Sequence, residues 1–184
     1  RDGILVKGAS HLETLGKACR AVGDVVDVVR FGDDLGTNGG PFMSPALYRR
    51  LFKPRHAQLN AYVHRHTPMK TFLHSCGSIY KLLPDLIEAG YDVINPVQTN
   101  SRDMEPERLK REFGRDICFW GGGCDTRHVL PHGTPAEVKR DVRERFFVHL
   151  LELGPAFTRG ERTGELVNTA VEGIESLDAY FSQY

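Results

Sequence analysis

Apolar residues recur at helical spacing between His11 and Val22, where Leu12, Leu15, Ala18, Cys19 and Val22 share a face, and the pattern predicts an amphipathic helix. The next run, Val25-Val26-Asp27-Val28-Val29-Arg30-Phe31, is short and β-branched, so it predicts a strand. Ser44-Pro45 marks a second helix start, with serine as N-cap and proline at the first helical position. That helix should reach about His64, with a kink or a break just before Pro54, because a proline ring disturbs a helix interior. The two periods then alternate: strand 70–75, helix 79–89 closed by Gly90, strand 91–96, helix 105–113 closed by Gly114, strand 116–121. Thr134-Pro135 opens a capped helix to about Leu153, and a weaker strand near 155–158 precedes a helix near 168–182. Strands separated by helices of this length predict an α/β fold with a parallel sheet, since parallel neighbours need a crossover.

Polar residues and glycines are spread unevenly over the loops. They collect after the strands, at Gly32-Asp33-Asp34, His74 to Gly77, Asn95 to Gln98 and Gly121 to Asp125, whereas the opposite loops Gly90-Tyr91-Asp92 and Gly114-Arg115-Asp116 are short and plain. Parallel α/β folds bind ligands at the carboxyl ends of their strands, so this asymmetry locates the site. Four to five βα units amount to roughly half of an eight-fold barrel. With no repeat, low-complexity tract or linker, residues 1–184 read as one partial barrel domain.

Composition narrows the function classes. The chain is 40% hydrophobic and 26% charged, an ordinary globular balance. Lysine plus arginine equals aspartate plus glutamate at 24 each, and no basic run is interleaved with aromatics, which disfavours nucleic acid and anionic membranes as partners. No apolar stretch approaches a membrane span, and Arg1-Asp2-Gly3 shows no signal-peptide pattern. Four cysteines, Cys19, Cys76, Cys118 and Cys124, are too few for a secreted disulfide framework, so reduced thiols in the cytoplasm are expected. The sequence lacks an initial methionine and enters directly on a helix. It is therefore expected either to miss an amino-terminal half or to form a homo-oligomer that covers its open strand edges.

The tetrapeptide His74-Ser75-Cys76-Gly77 carries the most chemistry. Residues two apart on a strand point the same way, so an imidazole and a thiol emerge side by side where the strand runs into a glycine loop. Such a pair suits zinc, which in a catalytic site needs one more protein ligand and an open position. The alternative is a hydrogen-bonded histidine beside a half-buried thiol at a barrel rim. Asp33 and Asp34 are adjacent and face opposite ways, so one can enter the site as a base or cation partner while the other braces the loop. Gln98 suits either orienting a carboxylate or metal ligand or satisfying local backbone. Gly121, Gly122 and Gly123 allow close backbone approach to a ligand, and Asp125 beside them is a polar candidate. Cys19 and Cys118 are expected in the core. His56, His64, His66, His128, His132 and His149 are expected at solvated or capping positions, and Tyr48, Arg49, Arg50, Lys53 and Arg55 on a charged helix face.

Taken in order, Phe31-Gly32-Asp33-Asp34-Leu35-Gly36-Thr37, Ser44-Pro45, Lys53-Pro54-Arg55-His56, Phe72-Leu73-His74-Ser75-Cys76-Gly77-Ser78, Asp85-Leu86-Ile87-Glu88-Ala89-Gly90, Asn95-Pro96-Val97-Gln98, Leu109 to Gly114, Trp120-Gly121-Gly122-Gly123-Cys124-Asp125-Thr126 and Leu130 to Val138 resemble the carboxyl-terminal half of the uroporphyrinogen decarboxylase superfamily. The resemblance runs from about residue 11 to 150. It implies a TIM-type (β/α)8 barrel, of which this chain would hold about the carboxyl-terminal half, and one of two chemistries. True uroporphyrinogen decarboxylases remove acetate carboxyls from a tetrapyrrole without metal or cofactor. The related corrinoid-dependent methyltransferases hold zinc with a His-x-Cys pair and a later Cys, and use it to activate a thiol such as coenzyme M.

His74 and Cys76 match the methyltransferase ligand pair. The resemblance thus implies a zinc-thiolate methyltransferase with a small thiol as substrate, a methylated corrinoid as co-substrate and a corrinoid protein as partner. The family's third ligand follows the last strand, yet the divergent segment 155–167 contains neither Cys nor His. Cys124 is then a candidate third ligand, or else a packed thiol, with water, an acidic rim residue or a residue of the absent half as the other ways to complete the shell. Decarboxylation of a tetrapyrrole is the first alternative. A non-catalytic binding subunit, favoured by the lost last-strand motif, is the second.

Overall fold

The structure, a computed structural model, describes residues 2–146, with side chains from residue 11 onward. The chain divides into two compact units, Arg1–Gly122 and Gly123–Tyr184. In the first unit the elements are α1 (Asp2–Val22), β1 (Val28–Gly32), β2 (Gly36–Thr37), β3 (Gly40–Pro41), α2 (Pro45–Leu51), α3 (Lys53–His66), β4 (Lys70–His74), α4 (Leu83–Glu88), β5 (Val93–Asn95), α5 (Pro106–Phe113) and β6 (Cys118–Phe119). The second unit holds α6 (Val129–His132) and a helical stretch over residues 135–146. The predicted strand near 155–158, the helix near 168–182, the divergent segment 155–167 and His149 lie outside the described residues.

Strands β1, β4, β5 and β6 pair in parallel in that order, which is their order along the chain, and helices fill each crossover. Alternation sorts the sheet into two faces. Thr71, Leu73 and Ile94 are fully buried, and Leu73 and Ile94 join Leu82, Leu83, Leu86 and Leu109 of the helical layer in one core. On the opposite face the register sets Arg30, Phe72, Val93 and Cys118 in one row, and Gly32, His74 and Asn95 in the next row toward the carboxyl ends. Trp120 follows Cys118 by two residues, and its N–H donates to Ile94 O. On this second face Phe72 and Val93 are buried, whereas Arg30, Cys118 and Trp120 are exposed. Cys118, expected in the core, is exposed because it stands on that face at the last strand of the described sheet.

Local signals explain most element boundaries. Ser44 Oγ accepts the Leu47 N–H at 3.2 Å and caps α2, and the chain breaks at Phe52 so that Pro54 falls in the first turn of α3, where its missing N–H costs nothing. Strand β1 starts later than its β-branched run, because Val25 and Val26 both donate their N–H to Val22 O and close α1, leaving Val25 79% exposed. The β2–β3 hairpin, unforeseen from the pattern, turns on Asn38-Gly39. In the second unit Thr134 and Glu137 cap each other's backbone N–H, which starts the helix at 135.

The expected charged helix face on α2 and α3 is partly a packing surface. Tyr48 is fully buried, while Arg49 and Lys53 both turn onto the buried carboxylate of Asp85 on α4 at 2.8 Å. No helix among the described residues is long and apolar enough to cross a membrane.

Candidate metal centre

Strand β4 delivers His74 to the carboxyl end of the sheet, level with Asn95 on β5. His74 Nδ1 lies 2.7 Å from Asn95 Oδ1, while Asn95 Nδ2 donates to Trp120 O at 2.8 Å. With the amide nitrogen committed to a carbonyl, the amide oxygen must accept, so Nδ1 carries the proton and Nε2 presents its lone pair. Cys76 Sγ lies 3.7 Å from that Nε2, and the Cys76 N–H donates to Asp34 Oδ1 at 2.9 Å.

One donor atom each from Asp34, His74 and Cys76 lies within 4.8 Å of the others. Tetrahedral zinc with bonds near 2.0–2.3 Å separates its ligands by about 3.5 Å, so the sulfur and nitrogen already stand at that spacing and the exposed carboxylate has a short way to close. Burial pushes the Cys76 thiol up, and the Asp34 carboxylate pushes it further, so the free protein keeps the proton on sulfur. A bound cation reverses both effects.

The loop that carries Cys76 is pinned from several sides. Ser75 N–H donates to Asn95 O, Leu35 N–H to Ser75 Oγ, and Ser78 N–H to Thr37 O on the hairpin. Gly77 has φ +79°, and a Cβ there would stand 2.6 Å from the Gly36 carbonyl carbon, so two glycines let the hairpin lie directly on the ligand loop. Gln98 is hydrogen-bonded within the chain: its Oε1 accepts the Gly77 N–H, and its Nε2 donates to Asn38 Oδ1.

The two aspartates divide as their adjacency requires. Asp34 joins the donor group, whereas Asp33 turns to His56 Nε2 at 3.0 Å. A carboxylate only accepts, so Nε2 donates to it and His56 Nδ1 accepts the Tyr48 hydroxyl proton at 2.9 Å. His56, expected at a solvated or capping position, is buried among the rings of Tyr48, Phe52 and Tyr91. Its burial depends on the break between α2 and α3 at Phe52.

The glycine run, expected to allow close backbone approach to a ligand, packs at two of its members on the loop after β5. Gly121 has φ +146° and packs so tightly that a Cβ would fall 1.7 Å from Pro96 O, and Gly122 N–H donates to that same oxygen. Gly123 meets nothing within 4 Å. Asp125 and Cys124 belong to the second unit. The Asp125 carboxylate accepts the N–H groups of Arg127 and His128, and its own N–H donates to Asp141. Burial and the neighbouring Asp141 push the Cys124 thiol up to about 11. Among the described residues, the donor atoms that gather with those of His74 and Cys76 are those of Asp34.

A family model described as uroporphyrinogen decarboxylase (URO-D) matches residues 13–146. The chain belongs to the uroporphyrinogen decarboxylase family. Among solved structures, a methyltransferase from Methanosarcina mazei superposes with a TM-score of 0.50 at 18% identity, over 73% of this chain and 36% of that one. The likeness is one of fold, and the chain spans about a third of that protein's length. Comparison with curated proteins gives no match. The TIM-type (β/α)8 barrel of the URO-D family accounts for the sheet: four consecutive parallel strands make half of a barrel, and the donor group sits at the end where barrels carry their sites.

Proposed function

We propose that this URO-D family chain carries a zinc site for methyl transfer to a thiol, with Asp34, His74 and Cys76 as the ligands. The observation that carries the reading is the imidazole, thiol and carboxylate gathered at one strand end, with Nε2 turned toward the sulfur by Asn95. Zinc held there lowers the pKa of an incoming thiol and makes it a nucleophile at neutral pH.

The chain's own residues set up that chemistry. Asn95 fixes the histidine tautomer, Asp34 braces the Cys76 backbone and offers its second oxygen, and the Gly36–Gly77 contact holds the sulfur in place. Trp120 stands edge to face with the buried Phe72 at 5.7 Å on the face that carries the histidine, and its exposed ring offers an apolar wall against which a substrate can exclude water. The methyl donor in this reading is a methylated corrinoid presented by a corrinoid protein in the cytoplasm. A methyltransferase is among the proteins that share this fold. The second reading, decarboxylation of a tetrapyrrole, is favoured by the description of the family model and needs no metal.

Metal analysis tests the site. Protein purified with zinc should hold about one ion per chain; Cys76→Ser and Asp34→Asn should lose most of it, and Cys124→Ser should keep it. Equal zinc in wild type and Cys76→Ser overturns the ligand set. Incubation with methylated corrinoid plus a thiol, and separately with uroporphyrinogen, tests the reaction: demethylation of the corrinoid supports the first reading, and carboxyl loss overturns it.

A further inference from the structure

The acidic pair that follows β1 has little packing of its own to hold it. Gly32 precedes it with open space where a Cβ would stand, and both Asp33 and Asp34 are exposed. What keeps the chain extended here is the neighbouring strand and its loop. Asp33 N–H donates to His74 O at 3.0 Å, which carries the parallel ladder one residue past β1, and Leu35 N–H donates to Ser75 Oγ at 3.0 Å just beyond. Along an extended stretch side chains alternate, so Phe31 and Asp33 face the helical layer while Asp34 stands on the side of His74 and Cys76.

On the helical side Asp33 meets a chain of hydrogen bonds that runs in one direction. Burial, helped by the charges of Asp85 and Asp33, pushes the Tyr48 hydroxyl up, so it keeps its proton and donates to His56 Nδ1 at 2.9 Å. Nε2 is then the protonated nitrogen, and it donates to Asp33 Oδ2 at 3.0 Å. His56 is 5% exposed and walled by the rings of Tyr48, Phe52 and Tyr91, so the imidazole has no room to swing away. A half-exposed carboxylate is thus held by a donor whose place and tautomer are both fixed.

We infer that His56 is a positioning residue for the candidate metal centre: by holding Asp33 against the helical layer it keeps Asp34 turned to His74 and Cys76, and so sets the affinity of the site for zinc. His56 is not among the donors and acts through the backbone that joins the two aspartates. With Asp33 released, Asp34 keeps its bond to the Cys76 N–H but loses the hold that fixes the face on which it stands. Tyr48 contributes at one remove, by fixing which nitrogen of His56 donates. This assignment rests on the metal reading above.

Two substitutions at His56 separate positioning from packing, because a glutamine amide nitrogen stands where Nε2 stood and an asparagine one where Nδ1 stood. Zinc affinity by chelator competition and melting curves are measured for wild type, His56→Gln, His56→Asn, Asp33→Ala and the double variant His56→Asn/Asp33→Ala. Both His56 variants lose the ring and should melt lower, yet His56→Gln should stay within about twofold of wild type in zinc affinity while His56→Asn and Asp33→Ala each lose about tenfold. The double variant should bind no more weakly than either single one, since both cut the same link. With cobalt(II) in place of zinc, the thiolate band should persist in every variant, and the ligand-field band of His56→Asn should weaken to match that of Asp34→Asn. Asp33→Ala leaves the ring cluster intact and carries the test if His56→Asn does not fold. Equal zinc losses in His56→Gln and His56→Asn, unchanged affinity in Asp33→Ala, additive losses in the double variant, or a cobalt spectrum of His56→Asn unlike that of Asp34→Asn overturns the role of His56 alone. Absence of zinc from wild type overturns the metal reading and this assignment with it.

Discussion

At the scale of single residues, Asn95 decides which nitrogen of His74 is free. Its side chain bridges the imidazole and the Trp120 carbonyl, so the ring can neither flip nor change tautomer without losing a bond. Removing such an outer partner of a ligating histidine typically costs about 10–100-fold in metal affinity. Asn95→Ala should therefore weaken zinc binding by that factor in competition with a chelator, at little change in melting temperature; unchanged affinity would mean that the ring is oriented by something else. The pair His74 and Cys76 was legible in the sequence because the strand period alone puts both on one face. Asp34 was half legible: adjacency fixed that one aspartate enters and the other leaves. Which one leaves is decided by His56, 23 residues away from Asp33 and buried by contacts that no local pattern displays. Cys124 shows a further limit, since a thiol's residue type does not reveal a neighbour such as Asp141, 17 residues on, which together with burial pushes that thiol up.

Between elements, the contact of α2 and α3 with α4 turns on one carboxylate. Burial raises the proton affinity of Asp85, but the hydrogen bonds and charges of Arg49 and Lys53 outweigh it and hold its carboxyl below the usual value of 3.8. A depressed folded pKa contributes stability that is fully present above the unfolded value and is lost as pH falls through the folded one. Urea midpoints should thus drop as pH is lowered from about 5 toward 2, and Asp85→Asn should flatten that drop while lowering the unfolding free energy at neutral pH by roughly 1–3 kcal/mol. Equal acid slopes in the two proteins would show that the cluster adds nothing. The helices involved were readable because Ser44-Pro45 and Pro54 act through their own backbone. The ion cluster was not, because Arg49 and Asp85 are 36 residues apart and a basic helix face looks the same whether it meets water or a buried acid. The hairpin shows a different limit: two-residue strands have no period to read, and the Asn38-Gly39 pair was its one local sign.

For the whole molecule, the alternation of strands and helices made the parallel sheet and the share of a barrel legible, since crossovers of that length admit little else. What the pattern did not show was how unevenly the second sheet face is covered. Among the described residues β1 and β6 each pair on one side, and the face that carries His74 sets the buried Phe72 and Val93 beside an exposed Cys118 and a Trp120 that is 60% exposed. Unpaired parallel edges flanking an apolar face are templates for another chain, and barrels remove them by closing. The 184-residue chain is therefore expected to associate in solution, through its sheet edges or this face. Light scattering at micromolar concentration should give a mass at or above twice the 20.7 kDa of one chain, and Trp120→Glu should shift the population toward monomer by setting a charge on the face that must be covered. A monodisperse 20.7 kDa species with a single cooperative unfolding transition would show instead that the half sheet is stable with its face in water.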